Sequence, residues 1–236
     1  MKANFPVIGQ RTMLVSARQL VHPDNNSTSI LVLFDDVTDR RREEVQNNIL
    51  LTETRHRMKN ILAMVRALAN TTSVEDRSGA EYRDAFLGRF EAVIDAENLA
   101  LDGNDEADLS SLVEQAMKPA ASGQVRVNPG PAIRLKRSQV VPMSLILHEL
   151  VVNAMKYGAL SLPDGVVQLS WSVSPEHEKR VLNLAWREMN GPPVSLPTRS
   201  GFGSQLITHS AASLGGMAEL NFDPAGLTVD VTAPLD

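Results

Sequence analysis

The feature that most constrains this fold is a long segment without any helix-breaking residue. Residues 38–72 contain neither glycine nor proline and are rich in charged side chains. Residues with the 4-4-3-4-3 spacing of a coiled-coil seam lie inside it, namely Leu50, Thr54, Met58, Ile61, Val65 and Leu68. The segment therefore predicts one long amphipathic helix whose seam must be covered by another helical hairpin or by a neighbouring domain.

A second helical pattern follows the breaker "SVEDRSG" and runs from about Ala80 to Leu101. Its apolar stripe consists of Tyr82, Phe86, Phe90, Val93, Ile94 and Leu101. Two amphipathic helices joined by a short loop cannot cover both stripes, and dimerisation into a four-helix bundle is the simplest way to do so. We therefore expect residues 38–106 to form a helical hairpin that makes a homodimer, with a monomer as the alternative.

The parts before and after the helices carry strand patterns. "RTMLVSARQLV" and "STSILVLFDDVT" are separated by the turn-rich "HPDNNS", which predicts a β-hairpin within residues 1–37. From about Asp108, helical patterns such as "LSSLVEQAMKPA" are mixed with strands such as "RVLNLAWRE". This mixture indicates an α/β sandwich over residues 107–236. The expected fold class is thus α+β, with a hairpin, a helical hairpin and a sandwich.

Composition excludes several classes of protein. A net charge of -5 argues against a nucleic-acid binder, which usually carries a basic excess. The 236-residue chain contains no long apolar run that could span a membrane, and "MKANFPVIGQ" does not resemble a signal peptide. The chain has no cysteine, so it has neither disulfides nor thiolate metal sites. We expect a cytoplasmic protein.

His56 lies within "TETRHRMKN" in the first helical segment. At about 100° per residue it falls opposite the apolar seam, with Glu53 and Asn60 as neighbours on the same face. An exposed histidine of this kind is a surface residue, a metal ligand or a reacting group. Metal binding is disfavoured, because no second histidine or cysteine lies within helical reach.

The densest group of polar side chains lies in "LILHELVVNAMKYGAL", residues 145–160. Glu149, Asn153 and Tyr157 follow one another by one helical turn, and Lys156 flanks Asn153. Carboxylate and amide oxygens suit Mg²⁺, and a lysine suits phosphate. The alternative is an ordinary amphipathic surface helix.

Two further segments come later in the chain. "LAWREMNGPPV" ends a strand with Trp186 and Glu188, and "SGFGSQLI" sets Gly201 and Gly203 directly before a helical pattern. Glycines at the start of a helix let backbone N–H groups approach a phosphate. A single G-x-G is a weak signal, and a simple turn explains it equally well.

Together these motifs resemble the HWE subgroup of bacterial sensor histidine kinases, within the GHKL class of ATPases. The family's H-R-x-K-N phosphoacceptor motif is matched by "HRMKN" from His56, and its asparagine box by "HELVVNAMKYGAL". The W-x-E and G-F-G-S elements are matched by "WRE" from Trp186 and "GFGS" from Gly201. The resemblance covers residues 40–235 and implies a Bergerat-type ATP-binding domain in the carboxy-terminal part.

The resemblance implies that His56 accepts the γ-phosphoryl group of ATP and passes it to an aspartate in the receiver domain of a response regulator. Many histidine kinases carry an acidic residue directly after the histidine, where this chain has Arg57. We therefore expect Glu53, one turn earlier, to accept the proton from the imidazole or to orient the ring.

The remaining roles implied by the resemblance concern ATP and Mg²⁺. Asn153 would hold Mg²⁺, and Glu149 would order water or the metal shell. Contacts with the rest of the nucleotide would come from His148 and Lys156 to phosphate, Glu188 to the adenine amino group, and Gly201 and Gly203 in the lid. One departure is Asn190 in "NGPP", where relatives usually have glycine; asparagine tolerates left-handed backbone, so the turn is expected to survive.

The first 37 residues resemble the end of a PAS sensor domain, with Asp36-Val37-Thr38 as the junction to the signalling helix. They are too short for a whole PAS domain and are expected to be either a truncation end or a natural remnant. Two alternatives to a histidine kinase remain. One is a non-catalytic phosphotransfer or scaffold protein that binds a response regulator. The other, a serine kinase of the anti-sigma type, would leave His56 unexplained.

Overall fold

The computed structural model describes residues 2–7, 9–21, 28–71, 78–103, 105–121, 123–176, 179–194 and 201–235. The chain divides into two compact units, Met1–Met64 and Val65–Asp236. The division falls inside the first long helix, so the domain boundaries expected after residues 37 and 106 stay predictions. None of the described helices is both long and apolar enough to cross a membrane.

The amino-terminal unit contains a three-stranded antiparallel sheet of β1 (Lys2–Phe5), β2 (Gly9–Val21) and β3 (Thr28–Asp36). Strands β2 and β3 pair from Met13 opposite Asp36 to Val21 opposite Thr28, which confirms the predicted hairpin. Strand β1 was not predicted. Every residue of β3 is exposed, including its run of large apolar side chains.

A hydrogen-bonded junction joins the sheet to the first helix, α1 (Thr38–Thr71). The backbone N–H of Thr38 donates to Oδ1 of Asp36 over 3.0 Å, and the N–H of Thr12 donates to Oγ1 of Thr38 over 2.7 Å. The Thr38 hydroxyl also donates to Asp36, and this bond is the main cause of a lowered pKa for the Asp36 carboxyl. Asp36 and Thr38 thus fix the point at which the strand ends and the helix begins.

Helix α1 and helix α2 (Gly79–Asp102) confirm the two predicted helical segments. Helix α2 begins with a capping box, in which Glu81 N–H donates to Oγ of Ser78 over 3.3 Å and Ser78 N–H donates to Oε2 of Glu81 over 2.8 Å. In the last turns of α1, Leu68 is buried and the Ala69 carbonyl accepts a hydrogen bond from the Tyr82 hydroxyl.

The carboxy-terminal unit is built on a five-stranded sheet in the order β5-β7-β8-β10-β9. Its strands are β5 (Val125–Asn128), β7 (Val166–Glu176), β8 (Lys179–Met189), β9 (Met217–Asp223) and β10 (Gly226–Pro234). Strands β5 and β7 are parallel, and the other pairs are antiparallel.

Besides α2 and the end of α1, the described part of this unit contains three further helices, a short 3-10 helix (Ala159–Ser161) and a small ribbon. The helices are α3 (Leu109–Met117), α4 (Arg137–Lys156) and α5 (Phe202–Ser213). The ribbon pairs β4 (Glu106–Asp108) with β6 (Arg134–Lys136). Both the sheet and α4 contribute fully buried side chains, among them Ile146, Leu150, Leu169, Leu184 and Trp186. The expected α+β class is confirmed, whereas β4, β5 and β6 were not predicted.

Candidate functional site

A cavity of about 430 Å³ lies in the carboxy-terminal unit between the end of α4, the end of β8 and the start of α5. Five of the residues singled out in the sequence line it, namely Asn153, Tyr157, Glu188, Gly201 and Gly203. The apolar part of its wall includes Val194, Phe202, Leu220, Phe222 and Leu227. The cavity therefore combines an apolar wall with a few polar groups, which is typical of a small-molecule site.

Glu188 is the buried acid of this cavity, with 5% of its surface exposed. The alternation of a strand places it on the same face of β8 as Trp186, and the Trp186 indole N–H donates to Oε1 over 3.1 Å. The backbone N–H of Ala159 donates to Oε2 over 2.8 Å. Burial raises the pKa of the Glu188 carboxyl. Because each carboxylate oxygen has two lone pairs, Glu188 can still accept a hydrogen bond from a ligand.

Gly158 explains how Glu188 fits beneath the end of α4. A Cβ placed on Gly158 would lie 2.0 Å from Oε2 of Glu188. Any side chain at this position would therefore displace the buried carboxylate. The sequence interpretation missed this role, although Gly158 lies inside the motif "MKYGAL" that it quoted.

Gly203 brings the first turn of α5 against α4. A Cβ on this glycine would lie 2.8 Å from Oε2 of Glu149 and 3.1 Å from Nδ2 of Asn153. Gly201 differs, because a Cβ there would meet nothing within 4 Å. The structure thus brings together the polar ridge of α4 and one of the two glycines that follow it by about fifty positions.

Glu149 is paired with an arginine that the sequence interpretation did not single out. Arg89 on α2 donates from Nε to Oε1 over 2.7 Å and from a terminal nitrogen to Oε2 over 3.0 Å. Each of the two residues exposes only 3% of its surface. The only local signal was a cation between Phe86 and Phe90 in the apolar stripe of α2.

Other predicted residues lie elsewhere on α4. The His148 ring lies beside α2, where its Cε1 is 3.3 Å from the place of a Cβ on Gly88. Burial is the main cause of a lowered pKa for His148. Lys156 is exposed in the last turn of α4. Neither residue, nor Glu149, is among the described residues that line the cavity, so their predicted contacts with phosphate and metal stay predictions.

The turn after β8 has the conformation expected for it. Asn190 adopts a left-handed backbone with φ of 57°. This is the conformation expected at a position where relatives usually have glycine. A Cβ on the following Gly191 would lie 2.8 Å from Cα of Ala159. The asparagine therefore replaces glycine without loss of the turn.

The predicted phosphoacceptor group lies on α1. The backbone of His56 and Glu53 is helical, but their side chains lie outside the part of the chain that the structure describes. Their roles stay predictions.

The donors at the cavity can be compared with what a metal ion requires. Among the described residues there is no group of three or more His, Cys, Asp or Glu side chains that could hold a metal. Asn153 supplies an amide oxygen, and the Glu149 carboxylate lies beside the same glycine, Gly203. This sparse set of hard oxygens fits Mg²⁺, which usually takes one or two protein ligands and completes its shell with water and substrate phosphates.

Comparison with known proteins gives both a sequence and a fold relationship. Residues 53–131 match the family model described as HWE histidine kinase. A blue-light-activated histidine kinase of Brucella anthropi is 35% identical over 214 residues, covering 89% of this chain and 43% of the relative. Its counterpart in Brucella ovis is 32% identical over 212 residues, with 87% and 43% covered. The chain spans less than half the length of these relatives.

Solved structures share the fold. The histidine kinase domain of the Erythrobacter litoralis EL346 blue-light activated histidine kinase superposes with a TM-score of 0.52 at 14% identity, covering 75% of this chain and 96% of that one. The longer EL346 structure gives a TM-score of 0.52 at 16% identity, covering 100% of this chain and 75% of that one.

Proposed function

Since this chain belongs to the HWE histidine kinase family, we propose that it is the kinase part of a two-component sensor that uses ATP to phosphorylate His56. From His56 the phosphoryl group passes to an aspartate in the receiver domain of a response regulator. The observation that most supports this function is the cavity at which Glu188, Asn153 and Gly203 converge.

The cavity suits an adenine nucleotide. Its volume of about 430 Å³ falls within the usual range of ligand sites, and Leu220, Phe222 and Leu227 give it an apolar wall for a flat base. A buried carboxyl is a good acceptor for an exocyclic amino group, and Glu188 is the acid placed there. We assign the adenine to the Glu188 end and the phosphates to the Asn153 end.

The phosphate end combines donors with a place for Mg²⁺. The amide oxygen of Asn153 would hold the ion, Glu149 would orient its water ligands, and His148 and Lys156 would approach phosphate oxygens. Helix α5 begins after Gly201, and the free backbone N–H groups of a helix N-terminus favour binding of an anion such as phosphate. When bound, Mg²⁺ would neutralise charge on the transferring phosphoryl group.

The reaction moves one phosphoryl group twice. A ring nitrogen of His56 forms a bond to the γ-phosphorus, the bond from that phosphorus to the bridging oxygen breaks, and ADP leaves with the electron pair. The ring proton passes to the Glu53 carboxylate. In the second step the P–N bond breaks as an aspartate oxygen of the receiver domain attacks, and the histidine regains a proton from solvent.

We propose that two chains pair through the helical hairpin. The seam residues Leu50, Met58 and Ile61 are exposed in the single chain, which fits a surface that a second copy covers. The sheet of β1 to β3 leads into α1 through Asp36 and Thr38, as a PAS-like input module would. A reaction that consumes ATP also agrees with a cytoplasmic location.

Incubation with γ-labelled ATP and Mg²⁺ tests the function. We expect an acid-labile, base-stable label on the protein that His56→Ala abolishes. His209→Ala, at an exposed histidine of α5, is the matched control and should keep the label. Nucleotide binding without label would overturn the kinase and support the phosphotransfer or scaffold alternative.

A further inference from the structure

The geometry points to Arg89 as a positioning residue that holds the Glu149 carboxylate for the reaction and couples the second hairpin helix to the nucleotide site. This inference rests on the proposed kinase function, because Glu149 has a catalytic role only there. Arg89 touches neither ATP nor His56 in this scheme, and it acts through Glu149.

Arg89 contacts Glu149 through two hydrogen bonds, one to each carboxylate oxygen. A guanidinium that engages both carboxylate oxygens in parallel fixes the plane of the carboxylate as well as its position. The two hydrogen bonds measure 2.7 and 3.0 Å, within the ordinary range for such bonds, and both side chains are buried. A lysine could supply the charge but not the two-pronged geometry.

Glu149 lies beside the cavity. Its Oε2 lies close to Gly203, which lines the cavity together with Asn153. An unpaired carboxylate at this point would repel the phosphates of a nucleotide. Arg89 cancels that charge, while a lone pair on each carboxylate oxygen remains for a water of the Mg²⁺ shell. Pairing with Arg89 thus lets the Glu149 carboxylate lie next to the phosphates of a nucleotide without repelling them.

Two other polar contacts join α2 and α4. Ser144 donates from Oγ to the Ala92 carbonyl over 3.0 Å, and Arg137 pairs with Glu97 at the start of α4. Both contacts join the same two helices, yet neither involves a residue assigned to the site. Of these three contacts, only the pair of Arg89 and Glu149 includes a residue that is assigned to the site.

The consequence is mechanical coupling. Helix α2 buries Val93, Ala96 and Ala100 together with Arg89, so these residues and the ion pair belong to one buried face. A shift of α2 relative to α4 would pull on the Glu149 carboxylate through this ion pair. The second hairpin helix would thereby report its position directly to the nucleotide site.

Arg89→Lys tests the positioning role, with Arg137→Lys as the matched control. The control changes an arginine that also pairs with an acid between α2 and α4, but its partner, Glu97, has no assigned role in the site. For Arg89→Lys we expect autophosphorylation kcat to fall at least tenfold and the half-saturating Mg²⁺ concentration to rise several-fold. The Kd of a fluorescent ATP analogue should stay within twofold. Arg137→Lys should keep wild-type kcat and Mg²⁺ dependence, even if its melting temperature falls.

The outcomes separate the two proposals. Equal kcat and Mg²⁺ dependence in the two variants would make Arg89 a structural residue and overturn the inference. Absence of label on the wild-type chain would instead overturn the kinase function. If Arg89→Lys does not fold, hydrogen exchange of α2 in the wild-type chain decides, with and without Mg²⁺ and a non-hydrolysable ATP analogue. Altered exchange near Arg89 supports the coupling, and unchanged exchange refutes it.

Discussion

The two units of this chain contain similar apolar side chains, but those of the amino-terminal sheet are exposed whereas those of α4 are buried. In Met1–Met64, Ile30 and Leu33 of the sheet are 71% and 63% exposed. In Val65–Asp236, Ile146 and Leu150 of α4 are fully buried. The carboxy-terminal unit therefore has its own core, whereas the amino-terminal unit presents surface that another polypeptide must cover to gain similar stability.

The same division separates the two halves of the proposed chemistry. The cavity with Glu188 and Asn153 belongs to the unit with the buried core, where rigid packing can hold a nucleotide. His56 belongs to the unit with the exposed seam. Nucleotide binding should thus depend on one unit alone, and phosphoryl transfer on both.

The largest expected effect tests whether the core belongs to one unit. Leu150→Ala should lower the free energy of unfolding by about 2–5 kcal/mol, because it removes a fully buried side chain and leaves a cavity. Urea unfolding followed by tryptophan fluorescence measures this, since Trp171 and Trp186 both lie in the carboxy-terminal unit. Leu62→Ala, at a side chain that is 62% exposed in the other unit, should change the same transition by less than about 0.5 kcal/mol. A comparable loss in Leu62→Ala would show that the two units do not differ in this way.

A smaller effect is expected at the cavity. Gly203→Ala should weaken binding of a fluorescent ATP analogue about tenfold, or ~1.4 kcal/mol, because the new Cβ would displace Glu149 or Asn153. Gly201→Ala is the matched control, since its Cβ would meet nothing within 4 Å, and its Kd should stay within twofold. Equal losses in both variants would mean that the alanines act through backbone freedom rather than through the contact with α4.

The exposed seam should show itself in the oligomeric state. Met58→Glu places a charge on the seam and should raise the dimer dissociation constant at least tenfold by sedimentation, or about 1.4 kcal/mol. Lys59→Glu changes an exposed neighbour outside the seam and should leave the dimer intact. A wild-type chain that sediments as a monomer at high concentration would contradict the pairing and leave the exposed surface to another partner.

The accuracy of the sequence interpretation follows the range of the interactions. The bounds of α1 and α2 were predicted to within about two residues, because the apolar period and the breaking segments are local signals. Strands β4 to β6 span only three or four residues each, too few for an alternating pattern.

The site shows the same dependence. Motif similarity singled out Asn153 and Gly203, which the structure brings together. The partners Arg89 and Glu149 are 60 positions apart, and nothing in either local segment names the other. Likewise, the need for Gly158 follows only from its contact with Glu188 across the fold. Such pairings depend on how helices and strands pack, which a single sequence does not state.

The smallest expected effect concerns how the stability of the fold depends on pH through His148, a partly buried residue of α4. Burial lowers the pKa of His148 below its ordinary 6.5, against the opposing effect of Glu149 and Glu91 and with help from Arg89 and Lys156. The unfolded chain therefore takes up this proton at a higher pH than the folded chain does. The stabilising contribution is complete above pH 6.5 and is lost as the pH falls below that value.

His148→Gln removes this titration and should flatten the decline in stability between pH 7.5 and 5.5. The difference in slope cannot exceed about 1.4 kcal/mol per pH unit for a single proton. Urea unfolding at pH 7.5, 6.5 and 5.5 measures it, with His209→Gln at an exposed position of α5 as the control. Parallel curves for the wild type and His148→Gln would mean that water reaches the imidazole beside Gly88 in the folded chain. The carboxy-terminal unit would then admit water where α2 meets α4, and at that place it would differ less from the exposed amino-terminal unit.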